Sequence, residues 1–284
     1  MPVAIVTDTC HYLPPKMIAA NGIHQVSLYV HWQDDGTQRE SEIADYTAYY
    51  ERLRTADQLP TTSQPSIGDF LSVYEPLLNG GSEIVSIHLA GGISGTVAAA
   101  EQAREQLGDR ASSVHLVDSA TACGGEGLLV LAAAAAARQG GDGAAVAARA
   151  LRARAELKLW FAIDTLEFLR RGGRIGGAQA WLGSALKIKP ILTVQSAITP
   201  VERVRTSRRA FERMVELLRT CRDAGADGWM VQHIQARGEA EQLAARGTEL
   251  FGHPPVSICE IGPVIGTHVG PGLLGAGGVP SSLL

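Results

Sequence analysis

Residues 3–9, VAIVTDT, indicate the fold class of the chain. Its first four residues are apolar and mostly β-branched, which is typical of a strand buried on both faces of a parallel sheet. Three polar residues, Thr7, Asp8 and Thr9, then stand at the carboxyl end of that strand. Because ligands of open α/β sheets bind beyond the carboxyl ends of the strands, this opening predicts an α/β fold with site residues at that edge.

Similar units follow along the first half of the chain. Strands are predicted over residues 83–89 and 114–118, each followed by a turn of small residues and a helical pattern. Helices are predicted over residues 14–20, 45–55, 66–78, 94–107, 124–139 and 143–155. The alternation of strand and helix predicts βαβ units, and therefore a parallel sheet covered by helices.

The pattern changes after residue 155. Apolar runs at residues 159–163, 191–194, 228–231 and 256–260 predict the strands of a second sheet. Because 284 residues exceed the usual size of one hydrophobic core, we expect two domains, residues 1–155 and 156–284. The boundary is approximate, and a domain can also be built from segments that are separate in the sequence. The glycine-rich tail from Gly270 onward is predicted to fray beyond its first few residues.

Composition excludes several classes of protein. Hydrophobic residues make up 45% and charged residues 19% of the chain, which excludes a disordered protein. The net charge is −4 and the arginines stand among acidic residues, so we expect no nucleic-acid partner. The N-terminus lacks the basic region of a signal peptide, and no apolar run approaches the ~20 residues of a membrane span, which predicts a cytoplasmic protein. We interpret the cysteines, which lack CxxC spacing, as reduced and mostly buried thiols: Cys10, Cys123, Cys221 and Cys259.

Two segments place hydroxyl groups at the beginnings of predicted helices. Residues 61–70, TTSQPSIGDF, taken alone predict a helix capped by Ser66. Residues 91–96, GGISGT, bring free backbone N–H groups, the helix dipole and two hydroxyls to one point, which suits an anion. They lack the lysine and spacing of a P-loop and the GxGxxG pattern, so a carboxylate or an acyl phosphate fits better than a nucleotide.

Three further segments allow both a structural and a functional interpretation. Residues 164–175 predict a short helix ended by glycine and basic residues. Lys187 and Lys189 lead into a strand, either as solvated side chains or as a patch that faces a partner. His268 stands among glycines after the last predicted strand, where a histidine is more often structural. The sequence has neither a Ser-His-Asp order nor HExxH spacing, so we predict no metal site.

Taken together, these segments closely resemble the DegV family, the bacterial fatty-acid-binding proteins that serve as the lipid-carrying subunit of fatty acid kinase. The resemblance runs almost end to end and rests on ordered segments at family spacing: residues 7–9, 62–66, 94–96, 117–119, 164–167, 172–175, 187–191 and 266–272. It implies a two-domain α/β fold with an N-terminal parallel-sheet α/β/α domain, a C-terminal α/β domain with a mixed sheet, and a lipid pocket between them.

The resemblance also implies which residues bind the ligand. The carboxylate of the fatty acid is expected to be bonded by Thr62, Ser94 and His268. Additional head-group contacts are expected from Ser63, Gly95, Thr96 and Thr267. Residues 90–92, Ile67 and residues 123–125 depart from the family pattern, which leaves chain-length preference more open than lipid binding. No cofactor and no metal are implied beyond the bound fatty acid.

The function that the resemblance implies is that of a carrier, not an enzyme. Such a protein binds a long-chain fatty acid and presents its carboxylate to a partner kinase, which binds ATP and metal and forms the acyl phosphate. Arg205 is expected to serve phosphotransfer with that kinase, although the nearby Arg203 leaves the assignment open. The product passes to an acyl-phosphate acyltransferase in phospholipid synthesis, and the resemblance allows a transient contact with a membrane surface.

Two alternatives stay open on the sequence alone. Ser94 and His268 could act as nucleophile and base of an independent acyl hydrolase or acyltransferase, although the nucleophile-elbow sequence GxSxG is missing. The other alternative is a lipid-sensing interaction module that does not transfer lipid. Turnover of an acyl ester by the isolated protein would favour the first, and the absence of extractable fatty acid would favour the second.

Overall fold

The computed structural model describes residues 1–182 and 188–284, and the first half of the chain is built on a parallel sheet. The strands of this half are β1 (Val3–Asp8), β2 (Ile23–Val26), β3 (Tyr29–Trp32), β4 (Gly36–Arg39), β5 (Thr61–Ser63), β6 (Glu83–His88) and β7 (Val114–Asp118). The sheet has the order β2-β1-β6-β7, and all neighbours run parallel. The buried central strands β1 and β6 confirm the interpretation of their apolar runs.

The helices predicted in the first half are all present. They are α1 (Pro15–Ala20), α2 (Tyr46–Thr55), α3 (Ile67–Asn79), α4 (Thr96–Gln106), α5 (Gly124–Arg138) and α6 (Gly143–Glu156). Their ends lie within two residues of the predicted ones. The cap at Ser66 is confirmed, because its Oγ accepts a hydrogen bond from Asp69 N at 3.1 Å and its backbone N donates to Asp69 Oδ2 at 2.9 Å.

Residues 29–63 contain a small antiparallel sheet that the sequence pattern does not predict. Its strand order is β4-β3-β5, and Thr62 on β5 pairs with Val30 on β3. Val30 is buried in a core that also contains Leu169 and Val264 from the second half of the chain. The small sheet therefore holds Thr62 against the second half.

The second half of the chain forms a mixed sheet, as the resemblance implies. Its strands are β8 (Lys158–Ala162), β9 (Lys189–Gln195), β10 (Ala197–Val204), β11 (Gly228–His233), β12 (Ile258–Glu260) and β13 (Leu274–Val279). The order is β10-β9-β8-β13-β11-β12, where β11 and β12 run parallel and the other neighbours antiparallel. The helices are α7 (Glu167–Arg171), α8 (Ser207–Asp223), α9 (Arg237–Phe251) and α10 (Pro263–Val269), and α8 and α9 cover the outer face of the sheet.

Helix α5 lies between the two sheets. It contacts β1 and β6 of the parallel sheet and β11 and β13 of the mixed sheet. Residues 124–136 are all buried, and most of them are alanine or glycine, which lets both sheets approach one helix closely. The chain passes from the first sheet to the second between Glu156 and Lys158, while the division into domains at residues 155 and 156 stays a prediction.

The prediction that the glycine-rich tail frays is wrong. Strand β13 is fully buried and lies in the interior of the mixed sheet. A Cβ on Gly275 would lie 2.8 Å from Cγ of Gln232, and a Cβ on Gly277 would lie 2.2 Å from the carbonyl oxygen of Lys158. The glycines are therefore needed for close contact, and burial of the strand offsets the entropic cost of ordering them.

The structure describes most, but not all, of the basic segments predicted in the second half of the chain. The short helix predicted within residues 164–175 is α7. Lys187 lies outside the described residues. Lys189 begins β9, and its Nζ donates to Asp164 Oδ1 at 2.5 Å, so this lysine is ion-paired at the end of the sheet. The partner-facing patch stays a prediction.

Candidate functional site

A cavity lies between the N-terminal half of the chain and the mixed sheet. The sheet contributes Leu159, Phe161, Val194, Ile198 and Gln232 to its lining. Helix α10 contributes Val264, Ile265, His268 and Val269. The N-terminal half completes the lining with residues of β5, the loop after β6 and the start of α5, so the pocket implied between the two halves is present. Its mainly aliphatic walls suit an apolar ligand.

The cavity runs across the strands of the mixed sheet. Its lining includes Ile198 on β10, Val194 on β9, Phe161 on β8 and Gln232 on β11. Neighbouring strands are about 4.8 Å apart, so the four steps from β10 to β11 cover about 19 Å. The residues that line the cavity therefore extend across most of the width of the mixed sheet.

Polar side chains gather at one end of the cavity. Thr62 Oγ1 on β5 lies 2.7 Å from His268 Nε2 on α10. Arg174 Nε donates to the carbonyl oxygen of Ile93, one residue before Ser94, at 3.4 Å. Thr62, Ser94, Arg174 and His268 all line the cavity, so the fold brings the three expected carboxylate ligands to one place.

This polar end of the cavity lies near β10. A Cβ on Gly176 would lie 2.5 Å from the carbonyl oxygen of Ile198, so the segment that carries Arg174 packs on β10. Gln232 lies four strand positions away on β11. The polar end of the cavity therefore lies near β10, and the opposite end lies near β11.

The imidazole of His268 is half-buried and neutral at pH 7. Burial, and to a smaller extent the charge of Arg174, lowers its pKa to about 4. Its Nδ1 has no hydrogen-bond partner among the described residues, and a Cβ on Gly172 would lie 2.4 Å from it. Because an unpaired acceptor costs less than an unpaired N–H, the proton belongs on Nε2, which donates to Thr62 Oγ1. The Thr62 hydroxyl is then free to donate into the cavity.

Ser94 lies in the turn before α4. Its Oγ lies 2.8 Å from Thr96 Oγ1 and accepts a hydrogen bond from Thr96 N at 3.3 Å. Thr96 is fully buried behind it, and a Cβ on Gly95 would lie 3.1 Å from the Gln64 side chain. Ser94 and His268 thus bond to different partners, so the described structure does not contain the hydrogen bond that a serine nucleophile would need.

Two of the expected additional head-group contacts have hydroxyls that are engaged elsewhere. Ser63 Oγ lies 2.8 Å from His31 Nε2. Thr267 Oγ1 donates to the carbonyl oxygen of Pro263 at 2.8 Å and lies 2.5 Å from Tyr49 OH. Both hydroxyls stabilise the local fold, and a role for either in binding the head group stays a prediction.

The two candidate transfer arginines differ in their surroundings. Arg203 lies on β10 with its guanidinium carbon 5.3 Å from the ring centroid of Trp181. Arg205 follows the end of β10 and is exposed. Ile198 and Val204 pair with Val194 and Lys189 on β9, so about five strand steps, or about 17 Å, separate Ile198 from the end of β10. Arg205 is not among the residues that line the cavity, and its role in phosphotransfer stays a prediction.

The polar residues of the opening stretch do not line the cavity. Asp8 is fully buried and accepts hydrogen bonds from Cys10 N at 2.9 Å and from Leu89 N at 3.0 Å. Thr7 and Thr9 are also buried and donate to buried glutamates. The carboxyl end of β1 is thus filled by structural hydrogen bonds, whereas Ser94, which lines the cavity, follows the carboxyl end of the neighbouring strand β6.

Three polar residues that line the cavity were not expected from the sequence: Gln64, which stands beside two expected residues, and the more distant Arg174 and Gln232. Arg174 belongs to a segment interpreted as the end of a helix, and its position depends on a contact with Ile93, 81 residues away. Gln232 stands in the sequence as one polar residue in a strand. No local signal identifies either Arg174 or Gln232, because both reach the cavity through long-range packing.

The cysteines are buried, as the sequence predicts. All four are free, and burial raises the pKa of each thiol. Within residues 1–182 and 188–284, no group of three or more His, Cys, Asp or Glu side chains is placed to hold a metal ion. In the same part of the chain, none of the helices has the length and apolar character required to cross a membrane.

Comparison with known proteins extends over nearly the whole chain. A family model described as "Uncharacterised protein, DegV family" matches residues 2–281. A DegV domain-containing protein of Halalkalibacterium halodurans is 37% identical over 278 residues, which cover 96% of each chain. The match therefore includes both sheets and the cavity between them.

Solved structures have the same fold. A DegV family protein from Thermus thermophilus, described by its fatty acid binding, has a TM-score of 0.87 at 34% identity, with 99% of this chain and 100% of that chain covered. DegV from Bacillus subtilis, described as a fatty acid binding protein, has a TM-score of 0.85 at 33% identity, with 98% of each chain covered. Sequence and fold agree from end to end, and this chain belongs to the DegV family.

Proposed function

We propose that this chain binds one long-chain fatty acid, with the tail across the mixed sheet and the carboxylate at the polar end of the cavity. The observation that carries the proposal is that one cavity is lined both by apolar residues of strands β8, β9 and β10 of the mixed sheet and by the side chains of Thr62, Ser94 and Arg174. The strands from β10 to β11 that contribute to this lining span about 19 Å. The fatty-acid binding described for the DegV proteins of Thermus thermophilus and Bacillus subtilis supports it.

The tail supplies most of the binding free energy. A fully extended chain advances about 1.2 Å per bond, so about sixteen carbons match the length of the lining. Burial of each methylene contributes about 0.8 kcal/mol, which amounts to on the order of 11–12 kcal/mol for such a tail before ordering costs. Affinity is therefore expected to fall as the chain is shortened.

The head group is bound by hydroxyls and a cation. A buried carboxylate without donors would cancel several kcal/mol of the gain from the tail. Thr62 donates its O–H because the Nε2–H of His268 occupies a lone pair of its oxygen, and Ser94 supplies a second hydroxyl. Arg174 is exposed on its outer side and adds positive charge at the mouth of the cavity. His268 therefore acts mainly by orienting Thr62.

A carboxylate held in this way is accessible to a partner kinase. The kinase supplies ATP and metal, a carboxylate oxygen takes up the γ-phosphoryl group, and ADP leaves, which gives the acyl phosphate. This chain contributes position and protection from water without a catalytic residue of its own, and the product passes to an acyl-phosphate acyltransferase for phospholipid synthesis. Arg205 fits a contact with the kinase because it is exposed and distant from the ligand. We place the protein in the cytoplasm, with transient contact with a membrane surface.

Native mass spectrometry of the purified protein tests the binding proposal. We expect one monocarboxylic acid with a long acyl chain per protein chain, which denaturation releases. Delipidated protein should show a higher melting temperature when fatty acid is added, because the ligand binds the folded state. Detection of the apo mass alone, together with no stabilisation by any added fatty acid, would refute the proposal.

A further inference from the structure

Gln232 is a polar residue at the end of the cavity opposite the carboxylate. It lies on β11, four strand positions from Ile198, and its side chain is 2% exposed. Among the described residues that line the cavity, the other polar side chains apart from the Cys123 thiol belong to the carboxylate end. An amide at this place is therefore unexpected in a cavity for an unsubstituted hydrocarbon chain.

The orientation of the Gln232 amide is determined by the backbone. Gly124 N donates to Oε1 at 2.7 Å, and because a backbone N–H needs an acceptor, the atom that faces it must be the oxygen. A Cβ on Gly124 would lie 2.9 Å from Oε1, and a Cβ on Gly275 would lie 2.9 Å from Nε2. Two glycines thus make room for this one side chain, which holds the amide in a single orientation.

The amide nitrogen has no hydrogen-bond partner of its own. Within residues 1–182 and 188–284, Oε1 of Gln232 accepts from Gly124 N, whereas Nε2 forms no hydrogen bond. The oxygen also keeps a second lone pair. A ligand atom at this end of the cavity would therefore meet a free N–H donor beside a free acceptor site. A methyl group there would leave both groups unpaired, which buried polar groups rarely tolerate.

We propose that Gln232 is the specificity-determining residue for the far end of the acyl chain, and that it favours a chain whose far end carries a hydroxyl group. The hydroxyl oxygen accepts a hydrogen bond from Nε2, and the hydroxyl proton is donated to Oε1. A site that hydrogen-bonds a hydroxyl discriminates against the analogue that lacks it, because its own polar groups are then left unpaired. The inference rests on the fatty-acid binding proposed above and adds the chemical class of the ligand.

Binding titrations of hexadecanoic acid and its ω-hydroxy derivative, with delipidated wild type and Gln232→Met, test the inference. Methionine has a similar length but no N–H donor. We expect the ratio of the two dissociation constants to favour the hydroxy acid in the wild type and to change by about tenfold in Gln232→Met. Gln195→Met, at an exposed position on β9, is the control and should keep the wild-type ratio.

The outcomes separate this inference from the proposed function. Equal ratios in the wild type and Gln232→Met would overturn the inference and leave fatty-acid binding intact. Failure of both acids to bind the wild type would refute the proposed function and the inference with it. If Gln232→Met does not fold, the inference is tested by titrating the wild type with three hydroxy acids, which carry the hydroxyl on the second, a middle or the last carbon. Tighter binding confined to the last of these supports the inference, and equal affinity for all three overturns it.

Discussion

The two ends of helix α10 are both held by the N-terminal half of the chain, but in different ways. At the beginning of the helix, Val264 N donates to Glu40 Oε1 at 2.8 Å, and Tyr12 OH donates to the same oxygen at 2.7 Å. Near the other end, His268 Nε2 is bonded to Thr62 Oγ1, while Nδ1 has no partner among the described residues. The hydrogen bonds at the beginning of the helix are complete, whereas near the other end a polar atom has no hydrogen-bond partner.

This difference separates a structural network from the proposed ligand site. Glu40 is 2% exposed and both of its oxygens accept hydrogen bonds, so no ligand is needed to complete its network. Thr62 and His268 line the cavity, and the hydroxyl of Thr62 is free to donate a hydrogen bond to a ligand there. Because a satisfied buried group stabilises the fold and an unsatisfied one costs stability, substitutions at the two ends should change different measurements.

The largest expected effect is on the pH dependence of stability at Glu40. Burial raises the pKa of this carboxyl from 4.5 to about 7, although hydrogen bonds from Thr9, Val264 and Tyr12 oppose the shift. The folded state therefore binds the proton more tightly than the unfolded state, and the wild type loses stability as the pH rises from 4.5 through 7. Over that window the loss amounts to about 3 kcal/mol. Glu40→Gln keeps an acceptor for Val264 N but cannot ionise, so it should not show this loss.

Denaturant unfolding at several pH values measures this effect. We expect the free energy of unfolding of the wild type to fall relative to that of Glu40→Gln as the pH rises. Glu42→Gln, at an exposed carboxylate two residues along the chain, should follow the wild type. Parallel profiles for the wild type and Glu40→Gln would show that Glu40 does not titrate in this window.

The next effect concerns the ligand at the other end of α10. Thr62→Val removes the hydroxyl proposed to donate to the carboxylate and should weaken fatty-acid binding by ~1–3 kcal/mol, the range for a lost hydrogen bond to a charged group. The fatty alcohol of the same length carries no charge at this place, so Thr62→Val should weaken its binding less than the binding of the acid. Thr61→Val, at the exposed neighbouring position on β5, is the matched control and should change neither affinity.

Titration of the acid and the alcohol against each protein at one pH gives these values. Ser94→Ala and His268→Ala should also weaken binding of the acid more than binding of the alcohol. The first substitution removes a hydrogen-bond donor, and the second leaves Thr62 without its orienting partner. If acid and alcohol lose affinity equally, these residues maintain the fold and do not bind the carboxylate.

The smallest effect on the ligand is expected at Arg205. It is not among the residues that line the cavity, so Arg205→Ala should leave fatty-acid affinity unchanged. If Arg205 contacts the kinase, acyl-phosphate formation should fall by about tenfold, the size of a lost charge-assisted hydrogen bond. Arg203→Ala tests the other candidate, and Arg208→Ala, exposed on α8, is the control. Equal loss of binding and phosphorylation, or loss of neither, would remove Arg205 from the transfer step.

Local sequence patterns correctly predict the elements that depend on residues close together in the chain. Strand β7 is present at residues 114–118 as predicted, and the cap at Ser66 depends on a residue three positions along the chain. Strand β13 was misjudged because the entropic cost of its glycines is visible in the sequence, whereas the side chains packed against them are not. Gln232, which lies against Gly275, is 43 positions earlier in the chain.

Local patterns in the sequence are enough to establish the α/β class and the helices and main strands of the first half, because periodicity and capping are properties of nearby residues. The ordered motifs point to the family. Which polar groups remain available to a ligand depends on the tertiary structure. It uses Asp8 inside the fold, brings Thr62 to His268 across 206 positions, and turns Gln232 towards the cavity. The physical reason is that a buried side chain's hydrogen bonds are completed by whatever packs against it, and sequence spacing does not reveal those partners.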